Sequence, residues 1–130
     1  YSGNPLGAAV ALANLDVFEE EKTLEHLPPK VDRLRAHLQR IAERPHVGHV
    51  RQCGLIAGIE LVQDKATKKP YSWTERRGWQ VCQAVRRGGV FLRPLGDVVV
   101  IFPPLAISLE EIDRIGFAVE RAIIQVTEQQ

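Results

Sequence analysis

The residues with the most capacity for chemistry lie in FLRPLGDVVVIFPPL, Phe91 to Leu105, where one arginine and one aspartate interrupt an apolar run between proline signals. A guanidinium is permanently charged, planar and able to donate two parallel hydrogen bonds. Arg93, set between apolar walls, therefore suits bidentate capture of a substrate carboxylate. An arginine at a strand end can equally brace its own hairpin by pairing with a nearby carboxylate, and Asp97 is the near candidate. The residues alone leave both roles open.

Other candidate groups carry less. His46 and His49 are three apart, a spacing that on a strand puts them on opposite faces, so surface or edge positions are expected rather than metal ligation. Cys53 and Cys82 lie far apart, with no C-x-x-C motif, and are read as reduced and mostly packed. No serine or cysteine sits in a G-x-S-x-G elbow, and no P-loop or G-x-G-x-x-G stretch occurs. The polar QDKATKKPYS segment reads as a surface loop.

These groups stand on a chain of ordinary globular make-up: 130 residues, 45% hydrophobic and 25% charged, enough for one domain with a core of its own. Seventeen basic residues against sixteen acidic ones predict no nucleic-acid partner and no anionic membrane surface. No apolar run approaches the roughly 18 residues of a membrane span, and no basic n-region precedes an apolar h-region, so the cytoplasm is the expected compartment.

The elements that must position Arg93 follow from spacing. Asn4 and Pro5 start a helix in which Leu6 to Leu15 is apolar on nearly every face, the pattern of a helix buried on most sides. A domain of this size has few places for such a helix, so residues 1–27 are expected to pack on a second domain or subunit that is not in this chain. Pro28 and Pro29 are expected to end the first helix and begin the second, at about Lys30 to Arg44, with an inward stripe of Val31, Leu34, Leu38 and Ile41. Asp32, Arg33, Arg35, Gln39 and Arg40 then face outward. HVGHVRQCGLIAGIELV reads as two strands or one bulged strand. Thr74 is expected to cap a third helix whose stripe is Trp79, Cys82 and Val85, stopped by Gly88 and Gly89. Val90 to Arg93 and Val98 to Phe102 form a hairpin around an LGD turn. Ser108 and Glu111 make a capping box for a last helix with Ile112, Ile115, Val119, Ala122, Ile123 and Val126 inward. The order predicts an α+β fold, a small, mostly antiparallel sheet covered by helices, with residues 28–130 as the domain proper.

YSGNPLGAAVALANLDVFEEE, VRQCGLIAGIELV and LRPLGDVVVIFPPLAIS together resemble the C-terminal part of the class III pyridoxal-phosphate-dependent aminotransferases, over essentially the whole chain. The G-N-P helix start is shared widely in that class. R-P-L-G-D followed by P-P-L is more particular to members that convert 8-amino-7-oxononanoate to 7,8-diaminononanoate in biotin biosynthesis. The resemblance implies the small C-terminal domain of a fold-type I transferase, a homodimer, and pyridoxal 5'-phosphate as cofactor, and it makes residues 1–27 a connecting helix on a large domain. It implies that Arg93 binds the carboxylate of the keto-acid substrate, with Asp97 as a turn residue or supporting partner.

It also places the Schiff-base lysine, the acid facing the pyridine nitrogen and the stacking aromatic upstream of Tyr1. The phosphate-binding hydroxyl contributed across the dimer lies just ahead of Y-S-G-N-P, leaving Tyr1 and Ser2 only nearby. No catalytic, cofactor-binding or metal-binding residue is therefore expected in this chain, and no activity of the chain alone. Leu105 stands where some relatives carry an aromatic, and the amino donor stays open between S-adenosylmethionine and lysine. Two alternatives remain: another class III enzyme, acting on an ω-amino acid or ornithine-like substrate, or a free-standing α+β binding module, against which the apolar first helix counts. The chain mixed with pyridoxal phosphate and dialysed should keep no visible cofactor band; a borohydride-fixed adduct on one of its own lysines would overturn that expectation.

Overall fold

The computed structural model describes residues 3–129. Four helices and four strands follow one another as α1 Pro5–Glu20, α2 Leu27–Ala42, β1 Val47–Cys53, β2 Ile56–Leu61, α3 Arg77–Arg87, β3 Arg93–Leu95, β4 Val98–Ile101 and α4 Leu109–Thr127. The strands form one sheet in the order β1-β2-β4-β3, and each neighbouring pair is antiparallel. The expected α+β architecture and element order are what the chain adopts.

Two tight turns set the register. Gly54 and Leu55 link β1 to β2, and Gly96 and Asp97 link β3 to β4. In each loop the glycine comes first and takes a positive φ, +56° at Gly54 and +58° at Gly96, a twist that matches paired antiparallel strands. The β1 register shifts between Val47 and His49, so the first strand is bulged as well as paired.

Alternation along the strands then divides the sheet. Val47, Ala57, Ile59, Leu61, Val99 and Ile101 point to one face and are buried. Leu34, Leu38 and Ile41 of α2, Val81 and Val85 of α3, and Ile112, Val119 and Ile123 of α4 bury the same core. Each large apolar side chain so enclosed contributes about 1.5–3 kcal/mol. α4 packs against both α2 and α3, which explains why its inward stripe is broad. Its capping box is formed: Ser108 accepts from the Glu111 amide at 3.2 Å, and Glu111 accepts from the Ser108 amide at 2.9 Å.

Several local expectations are corrected. α1 ends at Glu20, well before the prolines, and Lys22 takes a positive φ of 48° in the turn that follows. Pro28 and Pro29 lie inside the first turn of α2, where a missing amide hydrogen costs nothing. Thr74 does not cap α3: its hydroxyl bonds Ser72 at 2.8 Å, and α3 begins at Arg77 after a left-handed Arg76. Trp79 is exposed beside Arg76, because Gly78, Val81, Cys82 and Val85 form the stripe and Trp79 lies at its margin. Cys53 is exposed rather than packed. Cys82 is buried, and burial pushes its thiol up to about 11. Tyr71, expected in a surface loop, is buried with its hydroxyl 2.9 Å from His46 Nδ1.

His37 also joins the buried set although no inward stripe predicted it. Its ring fits because Gly116 of α4 leaves the space: a Cβ at 116 would come within 2.3 Å of the imidazole. His37 Nε2 lies 2.7 Å from Asp113 Oδ1, while Arg40 Nη2 donates to Nδ1 at 2.9 Å. Nδ1 therefore accepts and Nε2 donates to the carboxylate. Arg33 pairs with Asp113 at 3.2 Å and Arg40 with Glu120 at 3.2 Å, so two arginines expected to face only solvent tie α2 to α4. The His37 bond, with Arg33 beside it, holds the Asp113 carboxyl below its ordinary value of 3.8. A depressed carboxyl contributes stability above its unfolded value and loses it as pH falls through the folded value. Acid unfolding should thus steepen below about pH 4, and Asp113→Asn should flatten that limb in melting curves taken at stepped pH.

Candidate functional site

One face of the sheet carries the helices; the other is open. Val98 and Val100 alternate with the buried Val99 and Ile101, so they belong to the open face. Arg93 is paired across from Val100 and Leu95 from Val98, which puts both on that face, on the edge strand. Arg51 lies across from Gly58, and Gly58 from Val100. The row Arg51, Gly58, Val100, Arg93 thus spans the open face, with its two guanidinium-bearing residues three strand spacings apart, about 14 Å. Between them lies an apolar floor in which Ile56, Leu95, Val98 and Val100 are prominent.

The two arginines differ in their partners. Arg51 pairs with Glu60 at 3.3 Å. Arg93 has no carboxylate partner among the described residues; its Cζ lies 5.8 Å from the centroid of the Phe91 ring. The alternative, a brace between Arg93 and Asp97, is not formed. Asp97 is turned the other way, its Oδ1 accepting from the Gly78 amide at 2.9 Å. That bond satisfies an otherwise unpartnered donor in the first turn of α3, so a residue of the hairpin caps a helix distant in sequence. The approach is close enough that a Cβ on Gly78 would meet Gly96 O at 2.3 Å.

The hairpin itself is shorter than the spacing predicts. Val90, Phe91 and Leu92 precede β3 rather than belonging to it, and Pro94 and Leu95 lie within the strand. The partner strand ends at Ile101, and Pro103 has no amide hydrogen with which to extend the ladder. Pro94 is tolerated because β3 is an edge, where its absent donor disturbs no neighbour. Arg93 is consequently the first residue of its strand. Beside it, Phe91, Leu92, Phe102, Pro103 and Ile115 help line an apolar cleft of about 330 Å³. Leu105 lies apart from the open face: it lines a cleft with Val17 and Phe18 of α1, and its carbonyl accepts from Lys30 Nζ at 2.8 Å.

A covalently held cofactor would need a lysine here. The residues lining the apolar floor include none, and Lys30 and Lys65 are engaged with backbone carbonyls elsewhere. The open face therefore does not fit the attachment site of pyridoxal phosphate, and among the described residues no cluster of three or more histidine, cysteine or acidic side chains could hold a metal. What the face can do is grip an anion at one edge and lay an apolar chain beside it. Tyr1 and Ser2 lie outside the described residues. Among these residues no helix is long and apolar enough to cross a membrane.

The pattern of the family Aminotransferase class-III matches residues 1–123. The chain belongs to this family. It is 56% identical over 127 residues, 98% of its length, to an adenosylmethionine-8-amino-7-oxononanoate aminotransferase of Geobacter sulfurreducens. The crystal structure of the enzyme of that name from Methanocaldococcus jannaschii superposes with a TM-score of 0.93 at 39% identity, over 97% of this chain and 29% of that one. A thermostable omega transaminase variant from Pseudomonas jessenii superposes at 0.89 and 37% identity, over 96% of this chain and 28% of that one. The chain spans about 28% of the length of the Geobacter relative.

The Phe91 contact has one weak signal in the sequence, a spacing of two from Arg93, which on a strand gives a shared side. The Gly78–Asp97 contact left no local signal at all. Asp97→Ala should lower stability by about 1 kcal/mol, as for loss of a helix cap, and Gly78→Ala should cost more, since backbone must shift. Denaturant melts of both variants check the order; an unaffected Gly78→Ala protein would contradict the packing.

Proposed function

We propose that this chain is the small C-terminal part of a pyridoxal-phosphate-dependent aminotransferase that converts 8-amino-7-oxononanoate to 7,8-diaminononanoate in biotin biosynthesis. The observation that carries the reading is the Arg93 guanidinium, displayed on an open sheet face without a carboxylate partner among the described residues. An unpaired fork beside Leu95, Val98 and Val100 matches a ligand with a carboxylate at one end of an aliphatic chain, and 8-amino-7-oxononanoate is such a ligand. The names of the Geobacter and Methanocaldococcus relatives support that substrate.

In this reading Arg93 orients the keto acid, and the apolar floor excludes water from its chain. The cofactor and the groups that do chemistry on it belong to the remainder of the full-length protein. Residues 1–27 are read as the connecting segment, built on helix α1, and residues 28–130 as the small domain. Support for this division comes from α1, which buries no residue within the chain and leaves Leu6, Val10, Leu12 and Leu15 exposed. The full-length protein is read as a cytoplasmic homodimer using S-adenosylmethionine or lysine as amino donor. Family membership favours an enzyme over a free-standing binding module. A second reading, another class III aminotransferase acting on an ω-amino acid, is favoured by the close superposition of the Pseudomonas omega transaminase.

In the full-length protein Arg93→Ala should weaken the half-reaction with 8-amino-7-oxononanoate by roughly 30- to 1000-fold, the equivalent of about 2–4 kcal/mol for a charge-assisted bidentate contact. The half-reaction with the donor should change far less. Arg93→Lys should recover part of the loss, since an ammonium keeps the charge but not the planar fork. Single-turnover absorbance changes of the cofactor measure each half separately. Equal impairment of both halves would reject the carboxylate role, and a wild-type protein that accepts only ω-amino substrates would favour the second reading.

A further inference from the structure

Phe91 lies outside the β-ladder and is 62% exposed, an unusual place for a bare aromatic ring. Two guanidiniums converge on it. Arg86, in the last turn of α3, has its Cζ 5.4 Å from the ring centroid, and Arg93 has its Cζ at 5.8 Å. Both distances fall within the roughly 6 Å over which a ring quadrupole attracts a cation. α3 is anchored in the core by Val81 and Val85, so Arg86 links the ring to a rigid element.

The contact leaves Arg93 chemically available. A carboxylate partner such as Asp97 would occupy N–H donors and neutralise the charge, but Asp97 is engaged with Gly78. An aromatic ring consumes none of the five guanidinium donors. A long, flexible arginine loses rotamer freedom when it grips a ligand, and a standing contact removes part of that freedom beforehand.

We propose that Phe91 is a positioning residue for Arg93: its ring, tied to α3 through Arg86, holds the guanidinium on the open face with its N–H fork free for a substrate carboxylate. This rests on the reading of Arg93 as the carboxylate-binding residue. In the full-length protein loaded with pyridoxal phosphate, Phe91→Leu should raise KM for 8-amino-7-oxononanoate about three- to thirtyfold. kcat and the donor half-reaction should stay near wild type. Phe91→Tyr, which keeps the ring, should restore KM, and Phe91→Leu should add little in an Arg93→Ala background.

A Leu variant with wild-type KM, equal losses in both half-reactions, or no recovery by Tyr would overturn the proposal. Arg93→Ala measured alongside separates the two levels. If it leaves the keto-acid half-reaction intact, the reading of Arg93 fails and the role of Phe91 falls with it. If it impairs that step while Phe91→Leu does not, only the role of Phe91 is lost.

Discussion

The bond from the Gly78 amide to Asp97 Oδ1 ties the edge hairpin to α3, and the placement of Arg93 depends on it. β3 is three residues long, contains a proline and has a neighbour on one side only. Such a strand has few ladder bonds of its own, so its position needs a further restraint. The capped helix end supplies one, and the absence of a Cβ on Gly78 lets the turn reach that end.

One-sided burial is the second constraint. Three helices cover one face of the sheet, and period-two alternation sends every second side chain to the other. An arginine on the covered face would have to pair internally or pay for desolvation. On the open face it can stay charged and unpaired, as a ligand-binding group must. Around it the apolar floor, with Ile56 and Leu95 exposed, is left uncovered, as are Leu6, Val10, Leu12 and Leu15 of α1.

Polar contacts do different work on the two sides of the domain. Between α2 and α4 the arginines at 33 and 40, with His37, are matched to acidic residues and lock the helices together. On the sheet, Arg51 is matched to Glu60, whereas Arg93 has no carboxylate partner among the described residues and its guanidinium lies by an aromatic ring. The same residue type is structural where a carboxylate faces it and available where none does.

Much of this was legible in the sequence because it rests on local physics. The Asn4 and Ser108 caps, the LGD turn, the stripe of α4 and the order of elements are set by residues within a few positions of one another. Arg93 stood out for the same reason, as a lone guanidinium in an apolar run. Tertiary contacts decided the rest. Whether Asp97 would face Arg93 or α3, whether Trp79 would be core, and whether His37 would find a cavity beside Gly116 depend on elements brought together only by folding. Gly78 to Asp97 is nineteen residues and His37 to Asp113 seventy-six. No spacing rule spans such separations, because the partner of a side chain is chosen by which surfaces pack and how much room they leave.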